Sequence, residues 1–155
     1  MKRTKRRMTL CTVLLLCNLV FIWGNSLLPA EVSGQISGSL KAFLDGLFPP
    51  GEAVPSGGDG LLRKCAHFAE FGALGLLLGW LFGMLGKKRL PAFALGVAAA
   101  CIDETIQIFV PGRSPGIRDV CIDSCGAAAG MLLLLLGHAY WKKRFTRKIS
   151  GGNET

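Results

Sequence analysis

The side chains best suited to acid–base or metal chemistry in this 155-residue chain fall into three groups. His67 and Glu70 stand three residues apart, Asp103, Glu104 and Gln107 lie within five residues, and Asp119 and Asp123 are four apart. On a helix, positions three and four apart share a face. A histidine beside a carboxylate is an acid/base pair, with His67 as the proton carrier and Glu70 tuning it. Asp103, Glu104 and Asp123 carry the hard oxygen donors that a divalent cation prefers. Arg63, Lys64, Arg113 and Arg118 flank these groups in sequence, and guanidinium offers a two-pronged donor to phosphate or carboxylate. Each group also has a plainer use. His67 can be a hydrogen-bonded structural residue, Arg63 and Lys64 interfacial anchors, Asp119 a helix cap, and the whole set a structural ion-pair network.

The elements that must position these residues are apolar. Half of the chain is hydrophobic and its mean hydropathy is +0.43, which excludes intrinsic disorder and argues against a soluble globule. A membrane helix needs roughly 20 mostly apolar residues. Four segments meet that length, at about residues 9–28, 65–85, 90–110 and 120–141, with an outer loop over 29–62. The expected fold class is therefore all-α: a single domain over 1–155, built as a bundle of four transmembrane helices.

The formal charge of +8 invites a nucleic-acid reading, but its distribution rejects one. Basic residues cluster at Lys2–Arg7, Lys87–Arg89 and after the last apolar run, as juxtamembrane flanks do. With four spans these clusters share one side. That side holds thirteen basic residues against the single acid Glu154; the remainder of the chain holds five against nine acids. The positive-inside rule then places both termini in the cytoplasm.

At ~1.5 Å per residue, His67 and Glu70 lie ~6 and ~10 Å into the second span, and Asp103, Glu104 and Gln107 some 5 to 10 Å from the end of the third. Asp123 is ~6 Å into the fourth by the same measure. Three helices thus bring polar groups to one outer layer. A lone carboxylate in lipid costs several kcal/mol unless paired, protonated or wetted. The expected arrangement is a small water-accessible cavity with acids on its floor and cations at its rim.

The first span, preceded by Lys2–Arg7, resembles the start of a signal peptide, but its apolar run is long and Pro29 disfavours cleavage nearby, so it is expected to stay. In the outer loop an amphipathic helix is expected around 35–47, with Ile36, Leu40, Phe43, Leu44 and Leu47 on one face, followed by a turn-rich stretch over 49–60. Gly72, Gly75, Gly79 and Gly83, like Gly126 and Gly130, form small-residue stripes suited to close helix packing. The six cysteines show no C-x-x-C spacing and are expected to be buried thiols, with Cys65–Cys121 the candidate pair for a bridge.

Two stretches together resemble the VanZ-like family of small bacterial membrane proteins, named for a glycopeptide-resistance accessory protein. Arg63-Lys64-Cys65-Ala66-His67-Phe68-Ala69-Glu70-Phe71-Gly72-Ala73-Leu74-Gly75 is similar to the pattern R-K-x-x-H-F-x-E-[YF]-x-x-L-G. Asp103-Glu104-Thr105-Ile106-Gln107-Ile108-Phe109-Val110-Pro111-Gly112-Arg113, then Arg118-Asp119-Val120, Asp123, Gly126 and Gly130, is similar to D-E-x-x-Q-x-F-x-P-G-R…D-V-x-x-[ND]-x-x-G. Ser26-Leu27-Leu28-Pro29, with Ser33 and Ser37, also resembles the family's serine-bearing first loop. One departure is Asp123, where the family commonly has Asn. The resemblance implies a multi-pass protein of the bacterial cell membrane, associated with reduced susceptibility to teicoplanin, and supplies no reaction.

Two functions from different classes are consistent with these residues. The first is a non-catalytic module whose Arg63, Lys64, Arg113 and Arg118 hold an anionic lipid-linked wall precursor, or which obstructs a lipoglycopeptide. Gln107, Asp119 and Asp123 would complete that binding site. The second is a membrane-embedded hydrolase or transferase acting on a polyprenyl-phosphate-type lipid. There His67, Glu70, Asp103 and Glu104 would be catalytic, and a divalent cation on Asp103, Glu104 and Asp123 is possible. No cofactor is established by any motif. A transporter is disfavoured, because the segments 76–85 and 132–136 lack polar residues to carry a solute.

Overall fold

A computed structural model describes residues 2–47 and 58–150. Among them the chain is helical, with no strand: α1 (Lys2–Ser26), α2 (Ala30–Leu47), α3 (Gly58–Met84), α4 (Leu90–Ile108) and α5 (Ile117–Ser150). Four helices are long and apolar enough to cross a bilayer, over Lys2–Ser26, Gly60–Met84, Leu90–Ile108 and Ile117–Arg144. At ~1.5 Å per residue α5 runs roughly 50 Å, well beyond a ~30 Å hydrocarbon core, so its basic end extends past the apolar region.

In lipid, apolar surface gains little by meeting other apolar surface, so helices associate where their backbones come close. The α3–α5 pair has the most extensive contact in the bundle, and small residues make it. A Cβ added at Gly75 would overlap the backbone of Ala127, one at Gly126 the carbonyl of Phe68, and one at Gly130 the carbonyl of Gly72. Of the expected glycine stripes, Gly72, Gly75, Gly79, Gly126 and Gly130 line the α3–α5 seam, while Gly83 lies beside the Arg89 side chain instead. Around the seam Phe71, Leu74, Leu78 and Met131 pack with Ile22 of α1 and Ala92, Ala99 and Ala100 of α4.

The α3–α4 turn closes on Gly86 at φ +66°, a conformation that L side chains rarely adopt. Gly86 N–H donates to Gly83 and Lys87 N–H to Phe82, a Schellman ending. Pro91 then starts α4, where its missing N–H is no loss.

The amphipathic helix of the outer loop begins five residues earlier than expected. Ser33 N–H donates to Pro29 O, and Glu31 sits in the first turn, where the helix dipole favours an acid. Ala30 N–H donates to Pro111 O at 3.3 Å, which pins the start of α2 to the α4–α5 loop. Val32, Ile36 and Phe43 are exposed. The side chains of Leu40, Leu44 and Leu47, and the expected turn-rich stretch up to residue 57, lie outside the described residues.

The expectation of buried thiols is corrected. Only Cys11 is buried; Cys17, Cys65, Cys101, Cys121 and Cys125 are exposed, and all six are free, so Cys65 and Cys121 form no bridge. Cysteine behaves as a small hydrophobe, so an outward-facing position in an apolar helix suits it as well as the core does.

Candidate functional site

Asp103 is at the centre of the polar residues and is fully buried (0% exposed). Its Oδ1 accepts from Ser26 Oγ of α1 at 2.7 Å, and its Oδ2 accepts from Gln107 Nε2, one helical turn on, at 3.0 Å. Gln107 Nε2 also reaches Ser26 Oγ at 3.3 Å. His67 of α3 approaches from the other side, its Nδ1 3.8 Å from Asp103 Oδ2. Three helices therefore converge on one carboxylate.

Asp123 of α5 is 1% exposed, and neither of its oxygens has a hydrogen-bond partner. Its position follows from the seam. Gly126, one turn later on α5, lies against Phe68, so Asp123 comes to the level of the adjacent His67. Each of His67, Asp103 and Asp123 has a donor atom within 4.8 Å of the others'.

The two adjacent acids of α4 point to different neighbours. Glu104 Oε2 accepts from Gly116 N–H at 2.8 Å, and Oε1 lies 3.4 Å from Gln107 Nε2. Glu104 thereby ties α4 to the residue preceding α5. Glu70, expected beside His67, turns instead toward α1, where its Oε1 accepts from Asn25 Nδ2 at 3.0 Å. Both Asn25 and Ser26 went unassigned in the sequence-based site. The polar interruption of an otherwise apolar first span was the available signal.

The cations divide similarly. Arg63 and Lys64 line a polar opening that leads past His67 to Glu104, Gln107 and Asp123. Lys64 Nζ lies 3.4 Å from Asp119 Oδ1, which sits in the first turn of α5 and not ahead of it as a cap would. Arg118 is exposed and Arg113 is absent from the lining. Arg113 Nε donates to Leu28 O and its Nη2 to Asn25 O, both at 3.0 Å, so it caps the C-terminal carbonyls of α1. Burial lowers its guanidinium pKa from the ordinary value, and the nearby positive charge of Arg63 lowers it further. Arg113→Ala is expected to remove both charge-assisted bonds and destabilise the fold by about 2 to 4 kcal/mol, read as a lowered midpoint of thermal unfolding in detergent.

The opening itself encloses only about 20 Å³. That is room for roughly one water molecule. The expected cavity is therefore a narrow slot, because the backbone contact of α3 and α5 leaves little space between them. A wider groove of about 710 Å³, lined by Leu76, Leu133 and Leu134 among others, lies further along α3 and α5, away from the acids.

These features describe a helical membrane protein with one buried polar cluster at one end of its bundle. The chain matches the VanZ/LLP1 family over residues 7–138, which includes α3 and α4 whole and most of the first and last spans, and it belongs to that family. No curated protein and no solved structure matches it.

Proposed function

We propose that this VanZ-family protein works from the outer face of the cytoplasmic membrane, with both termini inside, and engages the anionic headgroup of a lipid-linked envelope component. The observation that carries this reading is the pairing of Arg63 and Lys64 at the mouth of the polar slot. The Lys64–Asp119 pair is about a third to a half exposed, and such pairs contribute at most ~1 kcal/mol, so a phosphate can displace it readily. The slot is too small to admit a sugar or diphosphate, so the headgroup rests on the rim and the buried acids lie beneath it. A role in teicoplanin susceptibility would follow from occupancy of such a headgroup.

The test is lipid identified by mass spectrometry in protein held in native membrane discs. Wild type should retain an anionic lipid, and Arg63→Ala/Lys64→Ala should lower its occupancy about five- to thirty-fold, since two half-exposed charged contacts are together worth roughly 1 to 2 kcal/mol. An unchanged lipid complement in the double variant overturns the reading. A hydrolase or transferase is the second reading, favoured by His67 at the slot beside Asp103. Release of phosphate from a polyprenyl-diphosphate lipid by wild type would select it.

A further inference from the structure

Asp123 is an anomaly of the described bundle. Its carboxylate is almost fully enclosed, yet both oxygens lack any donor. Asp103, by contrast, has a donor on each oxygen. Buried polar atoms without partners are uncommon, and such a group needs a proton, a water or an ion. His67 Nδ1, facing the same space, is also without a hydrogen-bond partner.

We propose that His67, Asp103 and Asp123 hold a divalent cation of the Mn²⁺ or Zn²⁺ type. One imidazole and two carboxylates form a mixed nitrogen and oxygen donor set that such ions accept, and two carboxylates neutralise the ion's charge inside the bundle. At metal–ligand distances of about 2.1 Å, neighbouring ligands stand about 3.0 to 3.4 Å apart. The His67 Nδ1–Asp103 Oδ2 distance of 3.8 Å is close to that. Asp123 closes the remainder by turning its carboxylate, which breaks no hydrogen bond because it makes none.

The surroundings fit an outer shell of supports. Ser26 Oγ and Gln107 Nε2 donate to Asp103 and fix its orientation, as partners of ligating carboxylates do. Gln107's bond to Oδ2 leaves that oxygen a second lone pair for the ion. Glu104 belongs outside the set, because its Oε2 is taken by Gly116 N–H. The adjoining opening of about 20 Å³, lined by His67 and Asp123, has room for about one water beside the ion. This inference goes beyond the lipid reading and does not depend on it.

The test uses full-length protein purified in detergent, stripped with a chelator and titrated separately with MnCl₂ and ZnCl₂. Bound metal is read by mass spectrometry, and Mn²⁺ also by electron paramagnetic resonance. Wild type should take up one ion per chain with at least one of the two metals. Asp123→Asn, which keeps the shape and removes the charge, should weaken uptake at least ten-fold while leaving elution and helical circular dichroism unchanged. Glu104→Gln should retain uptake. Wild type that binds neither metal, or Asp123→Asn that binds like wild type, overturns the site. Because Arg63 and Lys64 are absent from the proposed ligands, Arg63→Ala/Lys64→Ala should bind metal normally. Loss of lipid with metal retained separates the two proposals.

Discussion

Gly130→Ala is expected to disrupt the bundle, although it adds a single methyl group. That methyl would fall on the carbonyl of Gly72, and further backbone of α3 lies close behind it. Neither side of the contact is a side chain that can rotate away. The helices must part, and parting them also opens the Gly75–Ala127 and Gly126–Phe68 contacts along the same seam. Overpacked cores lose about 1 to 3 kcal/mol when side chains can adjust, and occasionally more. With backbone against backbone the expected loss is about 3 kcal/mol or greater. It would be read as a fall in thermal midpoint, or as aggregation on size exclusion. Gly24→Ala is the matched control, since nothing lies within 4 Å of a Cβ there. It should be neutral or slightly stabilising, because alanine is the better helix former by roughly 1 kcal/mol. A Gly130→Ala protein as stable as wild type would show that α3 and α5 do not approach this closely.

Asp103→Ala is expected to produce the second large effect. The change strips Ser26 Oγ and Gln107 Nε2 of their buried acceptor and removes the carboxylate beside His67. Ser26 Oγ is left without its acceptor, at about 1 to 3 kcal/mol, while Gln107 Nε2 keeps only its longer contacts to Ser26 Oγ and Glu104 Oε1, so the total expected loss is roughly 2 to 4 kcal/mol. Ser26→Ala deletes one donor and leaves Asp103 bonded to Gln107, so about 1 kcal/mol is expected there. Asp103→Asn should fall between the two, because an amide offers one acceptor oxygen where the carboxylate offers two. Chemical denaturation in mixed micelles would rank the three variants. A ranking that put Ser26→Ala at or below Asp103→Ala would mean that the cluster is not organised around Asp103.

The four spanning helices, the common level of His67, Asp103 and Asp123, and the close packing at the glycines were legible in the sequence. Hydropathy marks which segments are helices, counting residues from the helix ends brings His67, Asp103 and Asp123 to one level, and glycine spacing marks where helices can meet. What remained hidden was the direction in which side chains turn once helices have neighbours. Arg113 sits in a short loop with acids nearby in sequence, and nothing local reveals that the open carbonyls of Asn25 and Leu28 claim it. Glu104 and Asp103 are adjacent, and only the position of Gly116 decides which of them ties the loop. Asn25 and Ser26 joined the site because α1 lies against both α3 and α4, an adjacency that no periodicity encodes. The outward thiols escaped for a similar reason, since lipid accepts small apolar groups as readily as a core does.

The buried polar residues, Ser26, Asp103, Glu104, Gln107 and Asp123, all lie toward one end of the bundle, while the seam beyond Gly75 is apolar. A low-dielectric plug of this kind insulates the acids from one of the two aqueous phases. Asp103 and Asp123 lie roughly 7 to 9 Å from the nearer helix ends, about a quarter of a ~30 Å core. A membrane potential of about 100 mV would then do only roughly 0.6 kcal/mol of work on a unit charge reaching them, against about 2.3 for a full crossing. Protons on these carboxylates would then exchange with the nearer aqueous phase alone, and the energised state of the membrane would have little leverage over them.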